Sequence, residues 1–241
     1  MTHDGTYLLV GGGRMARHMA HYLGLLGVPH RAWTRDMGEA ALSSRARGVG
    51  AVLLLIPDDA LTSFVDRYGP VMGGAPLVHF SGSARVAGVQ CCHPLGSFGG
   101  TLHPESLYRR ITFVCDPGPR SFPELFPALP NPHGVIHPEL RPLYHAMAVL
   151  SGNFTVVLWQ KALDEWRRLG LPPEAGLAYL DTVAANLAVD PGGALTGPLA
   201  RGDGETVRAN LAALGDGPWA EVYRAVAGAA EAERGEGGEG G

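Results

Sequence analysis

Five side chains combine a reactive type with a position that frees them for chemistry: His93, His145, Asn153, Thr196 and Arg201. They make up a set for reducing a small carbonyl compound. An imidazole supplies a proton as the oxygen gains charge, an amide and a hydroxyl orient that oxygen, and a guanidinium clamps a carboxylate. An imidazole with an ordinary pKa near ~6.5 is partly protonated at neutral pH, so His93 or His145 is the expected donor, with Tyr144 next in line. Each residue also has a plainer reading. His93 lies in "CCHPLGSF", where Pro94 and the following glycines read as a loop, and a backbone hydrogen bond would account for it. His145 and Asn153 lie in "YHAMAVLSGNFTVVLW", about 80° apart on a regular helix, and helix-to-helix hydrogen bonds would account for both. Thr196 and Arg201 lie in "ALTGPLARGD", where Asp203 is expected to cap the next helix and Arg201 to hold a carboxylate or pair with Asp203.

A hydride source is the missing partner, and "YLLVGGGRMARHMAHYLGLLG" offers a place for one. It reads Gly11-x-Gly13-x-x-Ala16 after an apolar run and at the start of a helical pattern, the context in which glycines let backbone N–H groups approach a pyrophosphate. Gly11 would make the turn, Gly13 would admit the phosphate, and Ala16 would allow close packing of helix on strand. Met15, Met19, Tyr22, Leu23 and Leu26 give the helix its buried face. At the end of the next strand, "HRAWTRD" places Thr34 and Arg35 where NAD-binding proteins carry an acid. A hydroxyl and a planar guanidinium suit the 2′-phosphate of NADP. The alternative is NAD, with Asp36 as the ribose acid. The cofactor set is Gly11, Gly13, Arg14, Met15, Thr34, Arg35 and Ser81.

The elements that must position these residues change character along the chain. Up to about His137, short β-type runs alternate with helical patterns: Tyr7 to Val10, His30 to Trp33, Val52 to Ile56, Leu77 to Phe80, Ile111 to Cys115 and Val135 to Ile136. This alternation predicts an α/β fold, a Rossmann-like, mostly parallel sheet over residues 1–137. The run "AVLLLI" is apolar without alternation and belongs near the sheet centre. Residues 138–232 read as a smaller all-helical domain, with helices over Leu140 to Leu169, Pro173 to Ala188, Gly204 to Leu214 and Trp219 to Ala232. Residues 233–241, ending "GEGGEGG", read as a disordered tail. Asp58 in "IPDDAL" is expected to cap a helix.

Composition narrows the function classes. The 241 residues carry a net charge of −4, which gives no general nucleic-acid surface. Three cysteines, two of them adjacent, make a poor disulfide framework and fit a reducing cytoplasm. No apolar run suits a membrane span. His133 and His137 are flanked by prolines and lack a third ligand, so no metal is expected. Lys161 is the only lysine, and Val157 stands four residues before it, which excludes a Tyr-x-x-x-Lys pair.

Taken together, "VGGGRMA", "IPDD", "HFSGS", "HPLGSF", "YHAMAVLSGNF" and "ALTGPLARGD" resemble a family of predicted NADP-dependent oxidoreductases in which a Rossmann-like domain precedes a helical domain of uncharacterised function. The resemblance spans residues 6 to 225. It implies an architecture similar to pyrroline-carboxylate and ketopantoate reductases, NADP as cofactor, a homodimer built through the helical domain, and a small substrate such as a 2-oxoacid, ketopantoate included. Ketopantoate and hydroxyacid enzymes use a helix-borne lysine as proton donor. The corresponding helix here begins with His145, so their chemistry does not transfer. A non-catalytic NADP-binding protein that senses redox state is the alternative function.

Overall fold

The computed structural model describes residues 5–237, and the chain divides into two compact units, one ending at Leu158 and the other beginning at Trp159. In chain order the first unit contains β1 (Tyr7–Val10), α1 (Arg14–Leu25), β2 (His30–Trp33), α2 (Gly38–Ala46), β3 (Ala51–Leu54), α3 (Asp58–Tyr68), β4 (Leu77–His79), β5 (Gln90–Leu95), α4 (Glu105–Tyr108), β6 (Thr112–Cys115), α5 (Phe122–Leu125), β7 (His133–Val135) and α6 (Arg141–Ala148). The strands form one sheet in the order β2-β1-β3-β4-β5-β6-β7. All pairs are parallel except β5 with β6. This is the expected Rossmann-like, mostly parallel α/β fold followed by helices.

The central strands are apolar on both faces because each face carries its own core. Tyr7 and Leu9 of β1 join Ala16, Met19, Tyr22 and Leu23 of α1, while Leu8 and Val10 join Trp33, Leu42 and Leu61 on the opposite side. Alternation of the pleat divides one four-residue strand between two layers of helices. The α1 face read from the helical spacing is the one that is buried.

β5 replaces the loop expected around His93. Proline and glycine argued against a strand there, but the pairing accommodates the proline. Asp116 N–H donates to the Cys91 carbonyl, so Cys91 and Asp116 are a hydrogen-bonded pair and Pro94, opposite Phe113, falls at a position without ladder bonds to β6. On its other side the pairing with β4 has already ended, at His79 opposite Cys91. The missing N–H of Pro94 therefore costs the sheet nothing.

The expected domain boundary at residue 137 differs from the division after Leu158, because Arg141 ties α6 to the sheet. Its side chain is fully buried; Nε donates to Asp116 Oδ1 at 2.5 Å and Nη2 to the Val114 carbonyl at 3.1 Å. The helix expected over Leu140 to Leu169 is also not uniform. α6 passes through a π-helical segment, Val149–Asn153, into α7 (Phe154–Arg168). The second unit continues with α8 (Pro173–Val189), α9 (Gly197–Arg201), α10 (Gly204–Leu214) and α11 (Pro218–Gly237). Within it, Trp159, Trp166 and Tyr179 pack ring against ring, and Gly176 leaves room for Leu163 and Trp166. The helix α11 runs on to Gly237, through residues expected to be disordered; the remainder of that tail lies outside the described residues.

Gly11 carries the strictest local constraint. Its φ is +126°, and a Cβ would lie 2.3 Å from the Leu55 carbonyl oxygen at the end of β3, whereas a Cβ on Gly13 would meet nothing within 4 Å. Gly11→Ala should therefore lower the unfolding free energy by roughly 2 kcal/mol or more, and Gly13→Ala by less than about 0.5 kcal/mol, as read from urea unfolding.

Candidate functional site

The carboxyl ends of β1, β3 and β4 open onto a groove formed by two cavities that meet at Ile56 and Pro57. The first, of about 620 Å³, runs over Gly11 and Gly12 to Trp33, Thr34, Arg35 and Arg67. The second, of about 420 Å³, runs from Gly13, Arg14 and Met15 to Phe80, Ser81 and Phe98. Between them stands the N-terminus of α1. Its N-cap, Gly13, provides no side-chain cap, and no acid lies in its first turn, so its first amides and the positive end of the helix dipole face the groove. Beside Gly13 the space is open: a Cβ there would meet nothing within 4 Å.

At the outer end of the groove two guanidinium groups gather and no carboxylate lines the wall. Arg35 comes from the turn after β2 and Arg67 from the last turn of α3, where its guanidinium lies 4.8 Å from the centre of the Tyr68 ring. Asp36, the alternative ribose acid, instead accepts the Thr34 hydroxyl at 2.5 Å. Local sequence gave no sign of Arg67, because α3 reads as an ordinary amphipathic helix with a basic last turn.

The inner end is organised by Ser81 and Gly82 after β4. Asp58 does not cap α3. Pro57 holds that position, and Asp58 accepts the Ser81 hydroxyl at 2.5 Å. The Ser81 oxygen also accepts the amides of Ser83 and Ala84, at 3.2 and 2.9 Å. Ser81 thus lines the cavity while its hydroxyl shapes the loop. Gly82 admits His145: a Cβ there would lie 2.2 Å from the imidazole Cδ2. His145 in turn lies 6.2 Å, ring centre to ring centre, from His93, and His93 Nδ1 is 2.6 Å from the Tyr144 hydroxyl.

Burial, followed by the positive charge of Arg141 and the proximity of His145, pushes the His93 imidazole down to about 4. At neutral pH it is uncharged, which corrects the expectation of a partly protonated donor at this position. Burial pushes the Tyr144 phenol up to about 12, with Arg141 acting in the opposite sense. The pair is therefore a neutral phenol and a neutral imidazole sharing one short hydrogen bond. Fifty-one positions separate them, and only the packing of α6 on the sheet brings them together.

Among the other expected residues, Asn153 is exposed in the π-helical segment, whose wider turn removes roughly the offset a regular helix would place between it and His145. Thr196 and Arg201 belong to the second unit, at the start and end of α9, both exposed. Asp203 caps α10 as expected, accepting the Thr206 amide at 3.0 Å. Among the described residues, no group of three histidine, cysteine, aspartate or glutamate side chains is arranged to hold a metal, and no helix is long and apolar enough to cross a membrane.

Residues 120–230 match the family model described as a domain of unknown function, DUF2520. No curated protein matches the chain. Among solved structures, the chain is similar to protein BF3122 from Bacteroides fragilis, with 20% identity, a TM-score of 0.71 and coverage of 95% of this chain and 98% of that one. It is similar to protein TM1727 from Thermotoga maritima, with 24% identity, a TM-score of 0.66 and coverage of 95% and 99%. It is also similar to pyrroline carboxylate reductase from Plasmodium falciparum with NADP bound, at 10% identity, a TM-score of 0.62 and coverage of 95% and 97%. These likenesses extend the fold relationship over nearly the whole chain.

The buried imidazole has a consequence for stability. Between its folded pKa of about 4 and its ordinary value of 6.5, the unfolded chain binds a proton that the folded chain does not. Acid therefore favours unfolding, and stability rises with pH across this window. His79, pushed down mainly by burial, acts in the same sense. The urea midpoint should climb between pH 4 and about 6.5, and His93→Gln should make that climb shallower; an unchanged slope would place the His93 pKa near its ordinary value.

Proposed function

We propose that the protein is an NADPH-dependent reductase of a small carbonyl compound, with 2-oxoacids, ketopantoate among them, as the first substrates to test. The groove carries this reading: an uncapped helix N-terminus at its middle, two arginines and no lining acid at its outer end, and a phenol–imidazole pair beside its inner end. NADP is bound in the structurally similar Plasmodium reductase, and the similar reductive aminase from Aspergillus terreus is in complex with NADPH.

In this reading the first amides of α1 hold the pyrophosphate, and Arg35 and Arg67 hold the 2′-phosphate, which an acid would repel. The reduced nicotinamide, when bound, supplies the hydride. Tyr144 supplies the proton. With the His93 Nδ1–H donating to the Tyr144 oxygen, the phenol hydrogen is free for the substrate oxygen, and the phenolate left behind keeps that hydrogen bond. The Arg141 guanidinium, 5.9 Å from the Tyr144 ring centre, favours the same phenolate. His145 and Asn153 orient the substrate. An amide reaching the carbonyl oxygen requires no charge on either histidine.

Arg35→Ala and Arg67→Ala should each weaken NADPH binding by about tenfold or more and leave NADH binding nearly unchanged, since each removes a charge-assisted phosphate contact. Equal losses for both cofactors would contradict the 2′-phosphate assignment. With NADPH oxidation followed against 2-oxoacids and cyclic imines, Tyr144→Phe should lower kcat by about a hundredfold with unchanged NADPH affinity. Tight NADPH binding with no turnover of any substrate would favour the non-catalytic redox-sensing alternative.

We also propose that two copies of the chain pair through their helices. Leu143, Met147, Leu150, Phe154 and Val157 leave exposed apolar surface along residues 143–157, with Leu143 62% exposed. Apolar exposure this dense is unusual on a surface that stays in water. Light scattering at micromolar concentration should give about twice 25.3 kDa; the monomer mass would contradict it.

A further inference from the structure

Of the three cysteines, two face each other across the one antiparallel step of the sheet. Cys92 on β5 lies directly opposite Cys115 on β6, with their sulfurs 3.0 Å apart. The neighbouring pair, Cys91 with Asp116, is hydrogen-bonded, so Cys92 and Cys115 occupy a non-hydrogen-bonded pair, where facing Cα atoms come closest, at ~4.5 Å. That separation lies inside the range a disulfide spans. Both side chains point into the same core, beside Phe113 and Phe80. Cys91 points the other way, and its thiol donates to the Ser81 carbonyl at 3.2 Å, where burial pushes it up to about 12 and keeps it a thiol.

We propose that Cys92 and Cys115 form a dithiol–disulfide pair, closed by hydrogen peroxide, which locks β5 to β6 directly beneath His93. One thiolate attacks a peroxide oxygen; the O–O bond breaks, and the departing hydroxide takes a proton to become water, leaving a sulfenic acid. The second sulfur then attacks the sulfenic sulfur, and the hydroxyl leaves with that thiol's proton as a second water. The two sulfurs together lose two electrons and the peroxide gains them. Contact between the thiols eases the first ionisation: Cys115 is pushed down by its hydrogen bond with Cys92, while Cys92 is pushed up by the same contact. Burial raises both, and the positive charge of Arg141 acts in the opposite sense on each. This inference stands apart from the proposed reductase activity, since it uses neither the groove nor a cofactor.

The folded, full-length protein is treated with hydrogen peroxide, quenched, and denatured with a maleimide. Reactive thiols should fall from three to one, the intact mass should drop by two hydrogens, and tryptic peptides Val86–Arg109 and Ile111–Arg120 should be linked. Cys91→Ser should keep the link and Cys92→Ser should abolish it. Should Cys92→Ser fail to fold, the peptide map of Cys91→Ser decides alone, because only one cysteine then remains in the first peptide. Three reactive thiols after treatment, a Cys91–Cys92 loop within one peptide, a link lost in Cys91→Ser, or a link only between two copies of the chain would each overturn the proposal.

Discussion

The first unit is organised around a buried charge. Arg141 has no exposed surface, and its guanidinium is held by Asp116 at the end of β6 and by the Val114 carbonyl. Removing one partner from a buried ion pair costs about 3–5 kcal/mol, because the other charge is stranded. Arg141 Nη1 is the one buried side-chain nitrogen or oxygen without a hydrogen-bond partner among the described residues. A cation retained at that cost is explained by what it fixes. It pins the first turn of α6 to the sheet, and so places Tyr144 against His93 and His145 against Gly82. Its charge adds to the effect of burial in keeping the imidazole neutral, and it favours the phenolate.

A second constraint orders the groove. β1 and β3 lie so close at their carboxyl ends that Gly11 admits no side chain, and this contact delivers the uncapped N-terminus of α1 to the open space beside Gly13. Around it, competing polar groups are already occupied. Asp36 accepts the Thr34 hydroxyl and does not line the outer cavity, while Asp58 accepts the Ser81 hydroxyl and lines the inner one. The outer cavity, with Arg35 and Arg67 and no lining carboxylate, is electrostatically suited to an anion, although the whole chain carries a net charge of −4.

What the sequence made legible follows the range of the interaction. The glycine turn, β1, β2 and the buried face of α1 were readable because they are set by neighbours within a few residues, through glycine geometry and helical or strand periodicity. β5 was hidden because Pro94 and the glycines after it argue against a strand, and only the sheet's hydrogen-bond phase shows that the proline is harmless there. Asp58 was misassigned because local rules favour a cap, and they contain nothing about Ser81, twenty-three positions away. Arg67, Gly82 and the Tyr144–His93 contact share that origin: each depends on chain segments meeting in space. The His93 pKa is another case, since burial sets it and not residue type.

The central claim is that the groove holds NADPH with its reactive ring toward the Tyr144–His93 pair, and a crystal structure of the NADPH complex tests it most directly. The account predicts the 2′-phosphate within hydrogen-bond distance of both Arg35 and Arg67, the pyrophosphate on the first amides of α1, and the nicotinamide beside Ser81 with a reactive face toward Tyr144. Ribose hydroxyls bound to Asp36, or a nicotinamide turned away from Tyr144, would contradict it.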